Sequence, residues 1–305
     1  MNSSKPKMGL GAWMLWIFCR SVAILPHWVQ YGVLGGFIYF VLRYVARYRR
    51  KLIVRQLSES FPERSEAEIA ELCGEYYHIL AETFVGTMTL AGMSEQKKHE
   101  VLDVTVPEHI MEAVKGKHFV YLSSHHNFWE FAQFAGLKFT NHLTLCAYHP
   151  LTSKAWDELY YHLRYSKDAI PVPSSQLIRY FLQHRKDGVE GRRVAIGLIA
   201  DQHPNIPVNE QTHWYRFLNQ DSVFFDGAEQ LAVRYGLPIW FADFERVGKG
   251  RYRIVFEMLY DGEEKVEKHE ITERYVRRLE QMICRDPHLW MWSHRRWKHK
   301  RNVAE

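Results

Sequence analysis

An α/β fold is predicted for this chain: a sheet covered on both faces by helices, preceded by a helical region that associates with membranes. Three observations predict it. Beyond residue 100, short apolar runs of strand type alternate with amphipathic stretches of helical period. The first hundred residues hold two uncharged stretches and then a run of arginines. Aromatic residues make up 14% of the chain, ten of them Trp, and Trp and Tyr suit surfaces that are apolar at one end and wet at the other. A large aromatic core would explain the same composition.

Residues 8–19 are uncharged, Arg20 interrupts, and residues 21–42 are uncharged again but contain Pro26, His27 and Gln30. The charges follow the apolar stretch, and no small-residue cleavage site is evident, so a signal peptide fits poorly. One reading is a single imperfect span, since crossing a bilayer takes about 20 apolar residues. The preferred one is a pair of helices at the interface, with Trp13, Trp16, Trp28 and Tyr31 at head-group depth and Pro26 between them. A soluble helical subdomain is the third. In either membrane reading Arg43, Arg47, Arg49, Arg50, Lys51 and Arg55 lie on the cytoplasmic side.

Over residues 65–90 an amphipathic helix is expected. Ser65 and Glu68 form a capping-box pattern, and Ile69, Leu72, Tyr76, Ile79 and Leu80 recur at helical spacing. A boundary near residue 100 divides the chain into a helical region, 1–100, and an α/β domain, 101–305. In the second part strands are expected over residues 118–123, 193–200, 237–244 and 251–259. Helices are expected over 128–139, 226–235 (ended by Gly236) and 271–284.

The net charge is only +5, yet a second basic cluster closes the chain: His294, Arg295, Arg296, Lys298, His299, Lys300 and Arg301. Such clusters imply anionic partners. No zinc-finger, RNA-recognition or helix-turn-helix signature accompanies them, so lipid phosphate is favoured over nucleic acid. Cys19, Cys73, Cys146 and Cys284 are far apart, which indicates neither a disulfide framework nor a structural zinc site and fits a reducing setting.

The chain has no GxSxG, P-loop, GxGxxG or HExxH pattern. It does have a His–Glu pair in Ser123-Ser124-His125-His126-Asn127-Phe128-Trp129-Glu130, at a strand-to-helix junction. Ligands of open α/β sheets bind at the carboxyl ends of strands, and Asp201-Gln202-His203 ends another strand, so the two polar segments are expected to share a cleft. A carboxylate at Glu130 is placed to reach back to one nitrogen of His125 and stabilise the imidazolium. The other nitrogen is then free to deprotonate an alcohol. A surface or capping role for His125 is the bland alternative. Metal ligation by His125, His126, Glu130 and His203 is another, although their spacing matches no common zinc arrangement.

The segment HHNFWE resembles the H-x-G-N-W-E form of the H-x4-D/E motif of lysophospholipid acyltransferases, specifically the late acyltransferases of bacterial lipid A biosynthesis. The likeness continues through Leu25-Pro26, the arginine run and Phe61-Pro62-Glu63. It includes Tyr148-His149-Pro150-Leu151 with Arg164, then Asp201-Gln202, and ends with Trp290-Met291-Trp292-Ser293-His294-Arg295-Arg296-Trp297-Lys298. Two departures stand out. Asn127-Phe128 replaces Gly-Asn, and Phe217-Leu218-Asn219 replaces Phe-Phe-Gly. Both are expected where chain length or head group is read.

The resemblance implies a glycerolipid-acyltransferase-like fold, a mixed, mostly parallel sheet flanked by helices. It implies transfer of a fatty acyl group from an acyl carrier protein thioester to a hydroxyl of a membrane glycolipid, a lipid A precursor, at the cytoplasmic face of the inner membrane. No metal and no cofactor beyond the carrier-linked acyl chain is implied, and no nucleic-acid partner. By the same resemblance His125 is the base and Glu130 its orienting carboxylate. Arg164 and Asp201 serve the oxyanion or a substrate phosphate, Asp201 at a position that also holds the architecture of the site, and His294, Arg295 and Arg296 meet the head group. Another lipid acceptor, a catalytically silent membrane-bound interaction protein and a metal-dependent hydrolase are the competing readings.

Overall fold

The computed structural model describes residues 7–138, 141–204, 207–209, 211–299 and 301. Phe139, at the end of one expected helix, and Lys300, in the basic terminus, lie outside the described residues.

Helix α1 (Leu10–Ala23) stops ahead of Pro26, as expected from the missing N–H of proline. The carbonyls orphaned at its end are met from the next helical segment. The buried amide of Gln30 lies within hydrogen-bonding distance of the carbonyls of Val22, Ala23 and Leu25, at 3.2, 3.0 and 2.8 Å. Helix α2 (Gly35–Phe40) follows between two π-helical turns, Val29–Leu34 and Val41–Val45. The chain then bends by 88° into α3 (Arg50–Ser60). Arg47 and Arg49 at the bend have φ of 45° and 50°, a left-handed conformation that costs an L-residue about 1–2 kcal/mol. The guanidinium of Arg49 donates to the Ser293 carbonyl at 2.8 Å, so the bend is tied to the far end of the chain.

Helix α4 (Glu66–Leu90) starts on the expected capping box. The Ser65 Oγ accepts from the Glu68 N–H at 3.3 Å, and the Glu68 carboxylate accepts from the Ser65 N–H at 2.8 Å. Two short helices, α5 (Glu95–Val101) and α6 (Glu108–Ala113), flank the first strand, β1 (Leu102–Thr105).

The central strands are β2 (Phe119–Ser123), β3 (His142–Tyr148), β4 (Ala169–Pro173) and β5 (Arg193–Ile199), with β8 (Ile239–Gly248) and β9 (Arg251–Tyr260) completing the sheet. Among the described residues these seven strands run in the order β1-β9-β8-β2-β5-β3-β4. Every neighbouring pair is parallel except β8 with β9. The sheet is therefore mixed and mostly parallel. A separate hairpin, β6 (Tyr215–Phe217) with β7 (Gln220–Ser222), turns through Leu218 and Asn219.

Side-chain alternation along β2 covers both faces, as period 2 demands. Val120 and Leu122 join a core with Leu57, Tyr76, Ile196 and Leu279, whereas Phe119 and Tyr121 join another with Phe128, Phe131, Trp240 and Phe256. The first core draws on α3, α4 and α10 (Glu270–Arg285). Helices α7 (Lys154–Arg164), α8 (Ser174–His184) and α9 (Gly227–Tyr235) supply Leu159, Leu177 and Leu231 to the two cores. Gly236 ends α9 in the left-handed region, φ 62°, where glycine carries no Cβ penalty.

Strands β1, β3 and β4 of the sheet, and the β6–β7 hairpin, lie outside the expected runs. β4 reads AIPVP, and its two prolines argue against a strand, but it lies at the sheet edge, where a missing N–H is tolerated. The helix expected from residue 128 is instead a 3-10 coil, Trp129–Lys138. Phe128, Phe131 and Phe134 recur every third residue, and a helix with three residues per turn sets them on one face. All three are buried, with adjacent ring centroids 4.9 and 5.9 Å apart.

Candidate active site

Strands β2 and β5 are parallel neighbours, Ser123 pairing with Ile199. Their carboxyl ends therefore deliver His125 and Asp201 to one place, as the strand-end pattern predicted. The His125 Nδ1–H donates to Asp201 Oδ1 at 2.7 Å, and the His125 backbone N–H donates to Oδ2 at 3.0 Å. With Nδ1–H committed to the carboxylate, the lone pair of a neutral imidazole falls on Nε2. It faces the amide of Gln202 at 3.2 Å, and the Trp129 ring stands edge-to-face at 5.2 Å.

The partner of His125 is thus Asp201 and not Glu130, which corrects the expected reach of Glu130 back to the imidazole. Glu130 faces away into a two-pronged ion pair, accepting from Arg164 Nε at 2.8 Å and Nη2 at 2.6 Å. Side-chain exposure is only 6% for Glu130 and 20% for Arg164, so the pair is largely dry. Burial alone would lower the Arg164 pKa, but the adjacent Glu130 carboxylate raises it overall. The guanidinium also lies 4.9 Å from the Tyr160 ring. In this conformation Nε and Nη2 of Arg164 are both engaged, so an oxyanion or phosphate approaching that edge would have to compete with Glu130.

Asp201 is packed behind the imidazole. Its carboxylate is buried and accepts from His125 twice and from the Trp290 indole N–H at 2.7 Å. An ionised carboxylate repels an oxyanion, so its place is behind the imidazole, not at the developing charge. Burial pushes the Asp201 pKa up; His125, then the Trp290 donor, more than offset it, and the carboxyl sits below its ordinary value.

The closing segment explains how the site is held. Residues 125–127 pair antiparallel with the chain around Trp290: Asn127 N–H donates to Leu289 O at 2.7 Å, and Met291 N–H donates to His125 O at 3.0 Å. The Gln56 amide holds the Trp292 and His294 carbonyls, and Tyr76 meets Ser293. Arg296, expected at a lipid head group, is in the core. It is 1% exposed, donates to the Val223 carbonyl at 2.8 Å, and lies 4.2 Å from the Phe224 ring. Burial lowers its pKa to about 10. Only Arg295 of the expected trio is exposed; His294 is half-buried, with its pKa lowered to about 4 by burial.

Beside the site is a cavity of about 270 Å³. Trp129, Glu130, Met291 and His294 line its inner side, Leu80, Phe84 and Thr87 of α4 one wall, and Arg49 its rim. Neither family departure faces it. Phe128 packs against α4 at Gly86, where an added Cβ would come within 3.1 Å of the ring. Leu218 and Asn219 have φ of 48° and 61°, the pair of positive angles that a two-residue type I′ hairpin turn requires. After glycine, asparagine is the residue best suited there, so this departure preserves a turn. Motif comparison could not reveal that both changes serve packing and backbone geometry.

His126 is fully buried, with its two nitrogens 3.2 and 3.3 Å from the Phe244 and Asp286 carbonyls. Full burial lowers its pKa to about 4, outweighing the Asp243 and Asp286 carboxylates and the Asp286 carbonyl, which favour the cation. An imidazole in the unfolded chain titrates near ~6.5 and takes up its proton first as pH falls. Stability is therefore complete above that value and declines toward pH 4. The expected loss from His126 is about 2 kcal/mol between pH 7.5 and pH 5. A urea midpoint unchanged over that range would show that His126 is not held neutral. Among the described residues no three His, Cys, Asp or Glu side chains are grouped to hold a metal ion.

The family described as "Bacterial lipid A biosynthesis acyltransferase" matches residues 2–299. No curated protein sequence matches the chain. Among solved structures it is similar to the 1-acyl-sn-glycerophosphate (LPA) acyltransferase PlsC from Thermotoga maritima, with 14% identity. That alignment covers 88% of this chain and 93% of the other, with a TM-score of 0.33.

Proposed function

The chain belongs to the bacterial lipid A biosynthesis acyltransferase family, and from that premise we propose that it acylates a hydroxyl of a lipid A precursor from an acyl carrier protein thioester, with His125 as general base. Membership makes it a lipid acyltransferase; the donor, the acceptor and the catalytic histidine are our reading. One observation carries the histidine: a partly accessible imidazole, 17% exposed, with Nδ1 held by a buried carboxylate.

In this mechanism the acceptor hydroxyl displaces Gln202 at Nε2 and gives up its proton to the imidazole as its oxygen attacks the thioester carbonyl. Asp201 stabilises the imidazolium that forms. The tetrahedral intermediate then collapses, the C–S bond breaks, and the leaving thiolate takes the proton from Nε2. The base is regenerated without a covalent acyl-enzyme.

A membrane site fits this chemistry because the acceptor is a lipid. No single helix among the described residues is long and apolar enough to cross a bilayer, although the bent pair Val29–Val45 and Arg50–Ser60 passes on combined length and composition. Leu10, Trp13, Phe18, Ile24, Trp28 and Phe37 are each at least half exposed, and Arg47, Arg50, Lys51 and Arg55 are exposed nearby in sequence. Apolar side chains followed by cations suit an anionic leaflet. This supports docking at the cytoplasmic face of the inner membrane by interfacial helices.

The reading predicts that purified enzyme releases free carrier thiol only when acyl carrier protein thioester and the right glycolipid are both supplied. Coenzyme A thioesters, tested in parallel, identify the donor. Mass spectrometry of lipids from a deletion strain should show lipid A lacking one acyl chain. An intact lipid A profile with another lipid short of an acyl group would move the acceptor elsewhere.

A further inference from the structure

Trp290 lies outside the His–Glu motif, yet its indole N–H meets the carboxylate that holds His125, at 2.7 Å from Asp201 Oδ2. The indole is 2% exposed and fixed by rings on several sides. Trp292 stands at 4.8 Å with an interplanar angle of 89°, Phe217 at 5.9 Å and Trp297 at 6.0 Å. Its backbone forms the antiparallel bridge with His126, next to the base. The same residue thus holds the base loop through its backbone and the orienting carboxylate through its side chain.

Resting on the general-base reading above, we propose that Trp290 is a positioning residue that sets the orientation and proton affinity of His125 through Asp201. A buried carboxylate shares its charge among its donors. Each share taken by the indole is withheld from the imidazolium, so Trp290 keeps His125 less basic than Asp201 alone would make it. The contact also blocks rotation of the carboxylate, which keeps Oδ1 on Nδ1 and leaves the lone pair on Nε2.

The other titratable groups facing this pair are Tyr275 from α10, with His294 and Arg296 from the closing segment. Burial raises the Tyr275 pKa well above its ordinary value, lowers His294 to about 4 and lowers Arg296 to about 10. All three keep their charge state near neutral pH, so their own titrations are separable from that of the imidazole.

The test is Trp290→Phe, which keeps a ring and removes the donor. Loss of a hydrogen bond to a charged group corresponds to roughly tenfold or more, so kcat should fall about tenfold with donor KM within twofold. The acid limb of kcat/KM should move to higher pH by about half a unit or more, because Asp201 then stabilises the imidazolium more strongly. Nuclear magnetic resonance titration of the His125 ring in the full chain should show the same upward displacement.

That titration does not depend on turnover, so it fails or succeeds separately from the general-base reading, which His125→Ala tests. A second measurement needs no variant: in the unmodified protein the Trp290 indole proton should shift with the midpoint of His125. An unmoved His125 titration in Trp290→Phe, or an indole signal indifferent to it, overturns the proposal.

Discussion

His125→Ala is expected to lower kcat by about 10²–10⁴-fold, the range set by losing a positioned general base. The fold should survive, because the backbone N–H of residue 125 and the Trp290 indole still serve Asp201. Asp201→Asn should follow it closely, with a loss of at least about 10²-fold, since an amide neither stabilises an imidazolium nor enforces the tautomer. This pair also discriminates between the two carboxylates of the site. If Glu130 were the orienting group, Asp201→Asn would be mild and Glu130→Gln severe at unchanged stability. Steady-state rates of both variants, with circular dichroism to verify the fold, decide it. Activity within tenfold of the parent in His125→Ala would remove His125 as the base.

The second large effect is on stability. Arg164→Met leaves the Glu130 carboxylate buried without its two-pronged partner, and breaking a buried pair from one side costs about 3–5 kcal/mol. For a chain of this size that corresponds to a fall in Tm of about 5–8 °C. Glu130→Leu should cost a similar amount. The double variant should recover much of the loss, because removing both charges also removes both desolvation penalties. Thermal unfolding of the three proteins forms the cycle. If Arg164→Met kept its Tm within about 2 °C, the ion pair would contribute less than about 1 kcal/mol, and Glu130 would be available for chemistry. Activity lost in Glu130 variants should therefore track unfolding, in contrast to His125→Ala.

Several elements were legible because their signals are local. The capping box at Ser65 and Glu68 involves residues three apart, and the backbone of one turn satisfies it whatever surrounds the helix. Short apolar runs marked β2, β5 and β8, an alternating run marked β9, and Gly236 marked the end of α9. The break at Pro26 follows from covalent structure alone. By contrast β4 was hidden by Pro171 and Pro173, whose acceptability depends on the strand lying at an edge. The 3-10 coil after Phe128 was visible only as a triplet of phenylalanines, which also suits other arrangements until its cavity-facing and core-facing sides are known.

That His125 and Asp201 lie in one cleft was readable from the sequence: a polar turn after a buried strand, with a second polar strand end beside it. The family was readable from motifs in order. Which carboxylate serves His125 was not. Glu130 is five residues away and Asp201 is 76, and sequence distance favours the nearer one. The parallel pairing of β2 with β5 reverses that preference, because adjacent strand ends bring residues 125 and 201 within hydrogen-bond reach while Arg164 draws Glu130 aside.

The basic terminus shows the same division. Its charges suggested a solvent-facing phosphate site, but Arg296 is enclosed by aromatic rings and Trp290 reaches Asp201. From the sequence alone came the mostly parallel α/β sheet, the strand-end cleft at His125 and the family, each carried by short-range pattern. The partners of His125, Glu130 and Arg296 were decided only by the tertiary structure, since a charge's role depends on which neighbours replace its water, and those neighbours come from distant parts of the chain.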